Sequence, residues 1–153
     1  MSYAKDMSSG STRASAGLAG ELRLGVMRLR RRLIAERDPR NDLSIGAMAV
    51  MGGLFREGEM TLGALAARER VQPPSMTRTV NCLVTDGYVE RTPHPTDGRQ
   101  VVVRLTEQGR AAVLADRARR DEWLAVRLAA LSADDREALR RAAPILQRLA
   151  QSD

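Results

Sequence analysis

Apolar residues recur every three or four positions over most of this chain, which is the spacing of amphipathic helices. The pattern starts at Leu18, after a Ser-, Ala- and Gly-rich segment over residues 1–17 that we interpret as a flexible tail. The first predicted helix ends before Pro39, and Ser44 is placed to cap a second one. After Thr106, a further cap, two long helical patterns fill the rest of the chain. The pattern therefore predicts a mainly helical protein.

Two short helices lie close together in the middle of the chain, an arrangement typical of a helix-turn-helix. Thr61 is a suitable N-cap for the first, which we predict over Leu62–Glu69. The second begins at Pro73, because proline fits the first turn of a helix, and closes at Gly87. Its helical spacing leaves four polar residues on the outer face, which are Ser75, Thr77, Arg78 and Asn81.

A β-hairpin is predicted directly after the second short helix. Two segments rich in β-branched or aromatic residues, 88–92 and 99–105, flank a turn that contains Pro93, Pro95 and Gly98. A helix-turn-helix followed at once by a hairpin is a winged helix, in which the second helix enters the major groove of DNA and the hairpin tip reaches the backbone or minor groove beside it. We therefore predict a mainly α fold with a small β-hairpin wing, an α+β winged helix.

The net charge of +6 favours a nucleic-acid partner only weakly, because most of the excess lies outside the predicted winged helix. Residues 1–55 carry 9 basic and 5 acidic side chains, whereas residues 56–104 carry 7 and 6. The local placement of charge is more informative. No carboxylate occurs between Arg70 and Thr85, so the second short helix can approach phosphates without repulsion.

Several side chains of the predicted winged helix suit contacts with DNA. Ser75, Thr77 and Arg78 lie at the N-terminal end of the second short helix, where side chains meet base edges and backbone N–H groups meet phosphates. Arg78 is the candidate for reading guanine. At the wing, we expect Arg99 to enter the minor groove and Asp97 to orient its guanidinium. The remaining candidates are Asn81 in the major groove, Gln100 on the wing, and Thr61, Gln72, Pro74 and Arg91 at the DNA backbone.

The sequence gives little support to an enzyme, a metal site or a membrane protein. It contains no phosphate-binding loop, dinucleotide fingerprint, zinc-protease helix or nucleophile elbow, and a single histidine, His94, is too few for a metal site. We expect no cofactor. The single cysteine, Cys82, is expected to be a buried thiol in the middle of a packed helix. Without a signal segment or an apolar stretch of roughly 18 residues, we expect a cytoplasmic protein with no membrane partner.

Two alternatives to DNA binding remain open at this point. A winged helix can serve as a protein-interaction module without DNA binding, and it would then show no steep fall of DNA affinity with salt. Cys82 can instead be read as the nucleophile of a thiol-dependent enzyme, which predicts lost activity in the folded variant Cys82→Ser.

A separate hypothesis concerns a ligand pocket. Methionine side chains adapt to irregular ligands, so Met residues near an aromatic ring are candidates for binding a small apolar or aromatic molecule. Core packing is the alternative interpretation of the same residues. The four candidates are Met27, Met48, Met51 and Trp123.

Three short motifs of the wing resemble those of a known family. The stretches Asp86–Arg91, Asp97–Arg99 and Leu105–Gly109 read DGYVER, DGR and LTEQG. They are similar to a MarR-family pattern of glycine, a hydrophobic residue, valine, any residue and arginine, then Asp-x-Arg, then Leu-Thr-x-x-Gly. Pro74–Arg78 resembles the opening of that family's recognition helix. Residues 43–110 as a whole resemble the family's DNA-binding core.

The resemblance implies an organisation and a mode of action. A single MarR-like domain would cover residues 18–153, with residues 18–40 and 107–153 as dimerisation helices and residues 43–106 as the DNA-binding lobe. It further implies an obligate homodimer on a pseudo-palindromic operator in double-stranded DNA, acting as a repressor. A small ligand or oxidation would change its affinity for the operator.

Overall fold

The structure is a computed structural model that describes the backbone of residues 6–38 and 41–151 and, from residue 15 onward, their side chains. This part of the chain forms six helices and one three-stranded antiparallel sheet. The elements are α1 (Asp6–Ala35), α2 (Ile45–Glu57), β1 (Met60–Thr61), α3 (Leu62–Glu69), α4 (Pro73–Thr85), β2 (Val89–Pro93), β3 (Val101–Leu105), α5 (Glu107–Ala129) and α6 (Ala133–Gln151). The prediction of a mainly α fold with a β-hairpin wing is confirmed.

The chain divides into two compact units. Unit 1 comprises the described residues up to Arg37 and those from Glu122 onward, and unit 2 runs from Asp38 to Asp121. Unit 2 therefore holds α2 to β3 and the first part of α5. It continues past residue 106 to Asp121.

Helix α1 begins earlier than the sequence predicts. It starts at Asp6 rather than at Leu18, so residues 6–17 are helical and their interpretation as a flexible tail is wrong. Extending an existing helix needs no new nucleus, and the alanines of this segment favour helix, so α1 grows toward the N-terminus from its apolar part. The rest of that prediction, over residues 1–5, lies outside the described residues.

Unit 2 is built around one apolar core. Helix α2 supplies more of it than any other element, and α3, α4, β2 and β3 contribute to the same core, so that the largest fully buried side chains come from five different elements. These are Met51, Leu65, Leu83, Val50, Val80, Val89 and Val103. Side-chain caps start two of the helices as predicted: Ser44 Oγ accepts from Ala47 N at 3.0 Å, and Thr61 Oγ1 accepts from Ala64 N at 3.2 Å.

The sheet contains a strand that the sequence did not predict. β1 pairs with β3 through Met60 opposite Val103, and β3 pairs with β2, so the order is β1-β3-β2. A strand of two residues is too short to show the alternation by which strands are recognised. Its effect is to join the start of the helix-turn-helix to the wing, because Thr61 is both the end of β1 and the cap of α3.

The junction between the wing and α5 requires a glycine. Thr106 Oγ1 accepts from Gly109 N at 3.1 Å, capping α5, and it donates to the carbonyl of Gly87 at 2.7 Å. This holds the first turn of α5 against the start of β2. A Cβ on Gly109 would lie 2.0 Å from the carbonyl oxygen of Tyr88, which no real side chain tolerates. The Leu-Thr-x-x-Gly motif is therefore explained by close packing of backbone on backbone.

Side chains from the first half of α5 explain why unit 2 continues to Asp121. The guanidinium groups of Arg110 and Arg117 lie over the ring of Phe55, at 5.4 and 4.3 Å from its centroid. Asp116 is buried and pairs with Arg120 one turn later. The two contacts with Phe55 join the first half of α5 to helix α2.

The described side chains of unit 1 form no comparable core. Helix α6 buries none of its residues, and α1 buries none from residue 15 onward. Instead, large apolar side chains are exposed along both helices, which are Leu18, Leu22, Leu24, Val26, Met27 and Leu29 of α1, and Leu139, Ile145, Leu146 and Leu149 of α6. A side-chain cap is nevertheless present at the start of α6, where Ser132 Oγ accepts from Asp135 N at 3.1 Å.

Candidate nucleic-acid interface

Helix α4 has one buried face and one polar face. Met76, Val80 and Leu83 are buried, with at most 2% of their surface exposed, and they fix the rotation of the helix on the core. Because these positions repeat every three or four residues, the intervening ones must point outward. All four candidates for the major groove are exposed, namely Ser75, Thr77, Arg78 and Asn81.

The N-terminus of α4 is less suited to phosphate than the sequence suggested. Pro73 and Pro74 occupy the first two helical positions and have no N–H. The N–H groups of Ser75 and Met76 both donate to the carbonyl of Gln72, at 3.0 and 3.1 Å. The expectation that backbone N–H groups at this end meet phosphates is therefore wrong, and contacts at this end must come from side chains.

Arg78 carries a positive charge without compensation. Among the described residues, no carboxylate or other acceptor lies within hydrogen-bond or ion-pair distance of its guanidinium, and the side chain is exposed. Thr77, one residue earlier, donates its hydroxyl to the carbonyl of Pro73 at 3.0 Å, which fixes its rotamer and leaves its oxygen free to accept. The helix thus presents a cation and an oriented hydroxyl side by side.

The wing is formed by β2, β3 and the loop 94–100 between them. Asp97 Oδ1 accepts from the backbone N of Arg99 at 3.1 Å, and Asp97 Oδ2 accepts from Gln100 Nε2 at 3.0 Å. Asp97 therefore orders the backbone of the loop. The sequence-based expectation that it orients the Arg99 guanidinium is wrong. The Arg99 side chain is exposed and has no partner within the described part of the chain. Gln100 is exposed as well.

His94 has a role in the wing that sequence reasoning missed. Its Nδ1 accepts from the backbone N of Asp97 at 3.2 Å and lies 3.3 Å from the backbone N of Thr96. The backbone N of His94 in turn donates to the carbonyl of Gln100 at 3.0 Å. The imidazole thus stabilises the turn through the backbone N–H groups of Thr96 and Asp97. Asparagine and aspartate are the residues expected to bond the nearby backbone of a turn, so no local signal pointed to histidine.

Helix α4 and the wing are joined by a side-chain hydrogen bond. Arg91 Nη2 donates to Asn81 Oδ1 at 2.6 Å. On the adjacent strand, Arg104 Nε lies 2.9 Å from Glu90 Oε1. Two candidate DNA contacts, Asn81 and Arg91, are therefore bonded to each other, which spacing along the chain did not predict.

The three remaining backbone candidates lie around the start of the two short helices. Thr61 is half-buried and uses its hydroxyl as the cap of α3. Gln72 is exposed and makes no side-chain cap bond to α4, and Pro74 is exposed at its second position. Gln72 is therefore free to contact a partner. Thr61 retains only the acceptor capacity that the cap leaves.

Cys82 is not where the sequence placed it. The thiol is exposed, because position 82 falls between the buried Val80 and Leu83 and points away from the core. Within the described residues no group of three or more His, Cys, Asp or Glu is arranged to hold a metal ion. In the same part of the chain no helix is both long and apolar enough to span a bilayer.

The four candidates for a ligand pocket occupy different environments. Met48 and Met51 are buried in the core of unit 2, at 7% and 0% exposure, whereas Met27 in unit 1 is 59% exposed. Trp123, also in unit 1, is half-buried, with the guanidinium of Arg127 4.1 Å and that of Arg32 5.5 Å from its ring centroid. Met48 and Met51 thus pack as core residues.

Comparisons with known proteins agree with this geometry. The MarR family profile matches residues 43–101. An uncharacterised HTH-type transcriptional regulator of Mycobacterium bovis is 49% identical over 133 residues, which are 87% of this chain and 92% of the relative. A further uncharacterised HTH-type transcriptional regulator, from Mycobacterium leprae, is 47% identical over 136 residues, 89% of this chain and 94% of the relative.

Solved structures show the same fold. A Pseudomonas aeruginosa protein whose crystal structure is described as that of a transcriptional regulator has a TM-score of 0.80 and 31% identity, over 92% of this chain and 98% of that chain. A MarR family protein from Bacillus stearothermophilus has a TM-score of 0.79 at 22% identity, with the same coverage of 92% and 98%. The names of these relatives are those of regulators and not of enzymes.

Proposed function

The chain belongs to the MarR family and is a DNA-binding transcriptional regulator, and from this premise we propose that it represses transcription as a homodimer on a pseudo-palindromic operator. The proposal places α4 in the major groove, with Arg78 reading guanine and Ser75 and Thr77 beside it. Arg99 of the wing enters the flanking minor groove. Repression follows because a dimer seated on a promoter excludes polymerase, and the protein acts in the cytoplasm, where the DNA is.

One observation carries the DNA-contacting part of the proposal. Arg78 and Arg99 are exposed and, among the described residues, have no carboxylate partner, whereas Arg68 and Arg104 of the same unit are paired to glutamates. At Arg68, the hydrogen bond to Glu57 raises the pKa of the guanidinium. Cations that are left unpaired on one face gain most from a polyanion, because no internal partner has to be given up.

The homodimer is supported by the surface of unit 1. Ten large apolar side chains of α1 and α6 are 37–59% exposed, and a grouping of exposed apolar side chains on the same helices is typical of an interaction surface. Covering them with the same faces of a second copy would give a twofold-symmetric pair. Two copies of α4 would then read half-sites roughly one helical turn, ~34 Å, apart.

The test compares specific with random DNA. Arg78→Ala should weaken binding to a selected operator more than binding to random duplex, by about 1–3 kcal/mol, because a base contact is lost. The control is Arg119→Ala, an exposed arginine of α5, which should change neither. Gel shifts with an operator obtained by random-pool selection provide the measurement. Equal losses on both DNAs would reduce Arg78 to a phosphate contact.

A salt titration separates this function from its rival. A protein-interaction module with the same fold would show no steep decline of DNA affinity with ionic strength. For a DNA-binding dimer, the logarithm of the affinity falls linearly with the logarithm of the salt concentration. The proposal as a whole would be contradicted if wild-type protein stayed monomeric and did not bind duplex DNA at low ionic strength.

We also propose release from the operator by a small apolar or aromatic ligand near Trp123 and Met27. A ligand that binds one dimer shape better than the other shifts the population toward the shape that does not match the operator. Because Trp123 is the only tryptophan, its fluorescence reports binding directly. Titration with anilinonaphthalene sulfonate should change that fluorescence and weaken operator binding together, and a fluorescence change without any effect on DNA would contradict the proposal.

A further inference from the structure

A hydrogen bond connects helix α4 to the wing: Arg91 Nη2 on β2 donates to Asn81 Oδ1 on α4 at 2.6 Å. We propose that Asn81 is a positioning residue, which holds the Arg91 guanidinium in the angle between α4 and the wing so that it contacts a DNA phosphate. The inference rests on the proposed function, since it requires duplex DNA on this face. It gives Asn81 a different role from the base contact that its place on the outer face of α4 suggested.

The charge of Arg91 is left intact by its partner. In the β2–β3 pair, Glu90 lies opposite Arg104 and its carboxylate is bonded to that arginine at 2.9 Å. Arg91, the next residue along β2, has a neutral amide as its partner, and among the described residues no carboxylate pairs with it. Neighbouring arginines of one small sheet therefore differ: Arg104 is neutralised, and Arg91 is held without being neutralised.

Holding an arginine in this way lowers the cost of binding. Both side chains are exposed, so their hydrogen bond competes with water and stabilises the fold little. Its main effect is to restrict a long side chain that would otherwise lose its rotamer freedom on contact with DNA. A guanidinium has five N–H donors, and one bond to Asn81 leaves others for a phosphate.

The same bond disfavours direct reading of a base by Asn81. Bidentate recognition of adenine uses both the oxygen and the nitrogen of the amide. Here the oxygen accepts from Arg91 and is directed toward β2. Asn81 therefore acts on DNA through Arg91.

The test is a double-mutant cycle measured over a range of salt concentrations. Arg91→Ala should lower affinity for any duplex roughly tenfold and reduce the slope of log affinity against log salt by about one per protomer. Asn81→Ala should reproduce a large part of both changes although it removes no charge, because the released guanidinium no longer stays at the phosphate. The double variant should be no weaker than Arg91→Ala alone. Arg104→Ala is the matched control and should leave the slope nearly unchanged.

The outcomes distinguish this inference from the function on which it rests. If wild-type protein binds duplex DNA with a steep salt dependence but the two losses multiply, Asn81 acts independently and the inference is wrong. The same holds if Asn81→Ala changes the selected base at one position while the salt slope stays at its wild-type value. If wild-type protein shows no salt-dependent binding, the proposed function itself fails. If the circular dichroism spectrum shows that the alanine variant does not fold, the measurement is repeated with Asn81→Leu, whose side chain is similar in size.

Discussion

The two units of this protein contrast in how they bury apolar surface. Unit 2 closes a core of its own, with Met51, Leu65 and Leu83 wholly removed from water. Unit 1 has long, well-formed helices, yet seven leucines of α1 and α6 are 37–59% exposed. Apolar residues at helical spacing occur in both. The same kind of sequence pattern therefore leads to a finished core in one unit and to an uncovered surface in the other.

The contrast teaches that the two units depend on different partners. Unit 2 can hold the polar face of α4 and the two strands of the wing in place by its internal packing alone, since α4, β2 and β3 all contribute to its core. The apolar faces of unit 1 gain their stabilisation only when something covers them. We propose that this cover is a second copy, which makes the stability of unit 1 dependent on protein concentration.

We expect the largest difference in stability when a leucine is replaced by alanine in each unit. Leu83→Ala removes a fully buried side chain from unit 2 and should lower the free energy of unfolding by about 2–5 kcal/mol at any protein concentration. Leu149→Ala in α6, where the side chain is 59% exposed, should leave the spectrum of dilute protein unchanged and weaken self-association. Urea unfolding and sedimentation velocity measure the two quantities.

Either of two results would contradict this contrast between the units. A Leu149→Ala variant that loses as much unfolding free energy as Leu83→Ala, independent of concentration, would mean that unit 1 is stabilised within one chain. A Leu83→Ala variant with a wild-type melting curve would remove the core of unit 2 from the explanation. A conservative control is Leu83→Met, which keeps the volume and should cost less than about 1.5 kcal/mol.

Replacing a glycine by alanine should change the free energy of unfolding in opposite directions in the two units. In unit 2, Gly109→Ala places a Cβ against the carbonyl of Tyr88 and should destabilise by about 1–3 kcal/mol, because α5 must move away from the wing. In unit 1, Gly20→Ala meets nothing within 4 Å and should stabilise α1 by about 0.5–1 kcal/mol. Thermal unfolding measures both. Equal destabilisation would show that a neighbouring copy approaches α1 closely at Gly20.

The smallest expected effect concerns helix caps. Thr106→Val removes the cap of α5 together with the bond to the Gly87 carbonyl, and should cost about 1–2 kcal/mol in unit 2. Ser132→Ala removes only the cap of α6 and should cost about 0.5–1 kcal/mol in unit 1. Hydrogen exchange of the first turn of each helix resolves the two. A larger loss at Ser132 than at Thr106 would contradict this expected order of the two effects.

Local signals in the sequence predicted several elements closely. Helix α3 was predicted over Leu62–Glu69 and is found there, because a side-chain cap begins it. The start of α4 at Pro73 was likewise predicted. Strand β1 was missed, since two residues carry no alternation, and α1 was predicted too short, since its first residues lack an apolar period. The errors fall where an element is defined by its neighbours and not by its own residues.

The candidate site was predicted as a set of residue types and not as a set of contacts. The exposed positions of α4 and the wing tip followed from helical spacing and turn residues. The bond from Asp97 to the backbone of Arg99 replaced the expected contact with its side chain, and the role of His94 was not foreseen. Cys82 was expected to be buried because it is flanked by apolar residues, but the rotation of α4 on the core exposes it. Pairings between distant residues, such as Asn81 with Arg91, depend on packing and have no local signal.

By itself, the sequence determined which segments become helices and strands, where caps and turns end them, and which family's DNA-binding lobe they build. Those properties depend on interactions among residues a few positions apart, and such interactions are written into periodicity and composition. Tertiary structure alone decided which arginines remain unpaired, which apolar faces stay in water, and that Gly109 must have no side chain. These depend on distances between segments far apart in the chain, and such distances are set only when a core fixes the elements against one another.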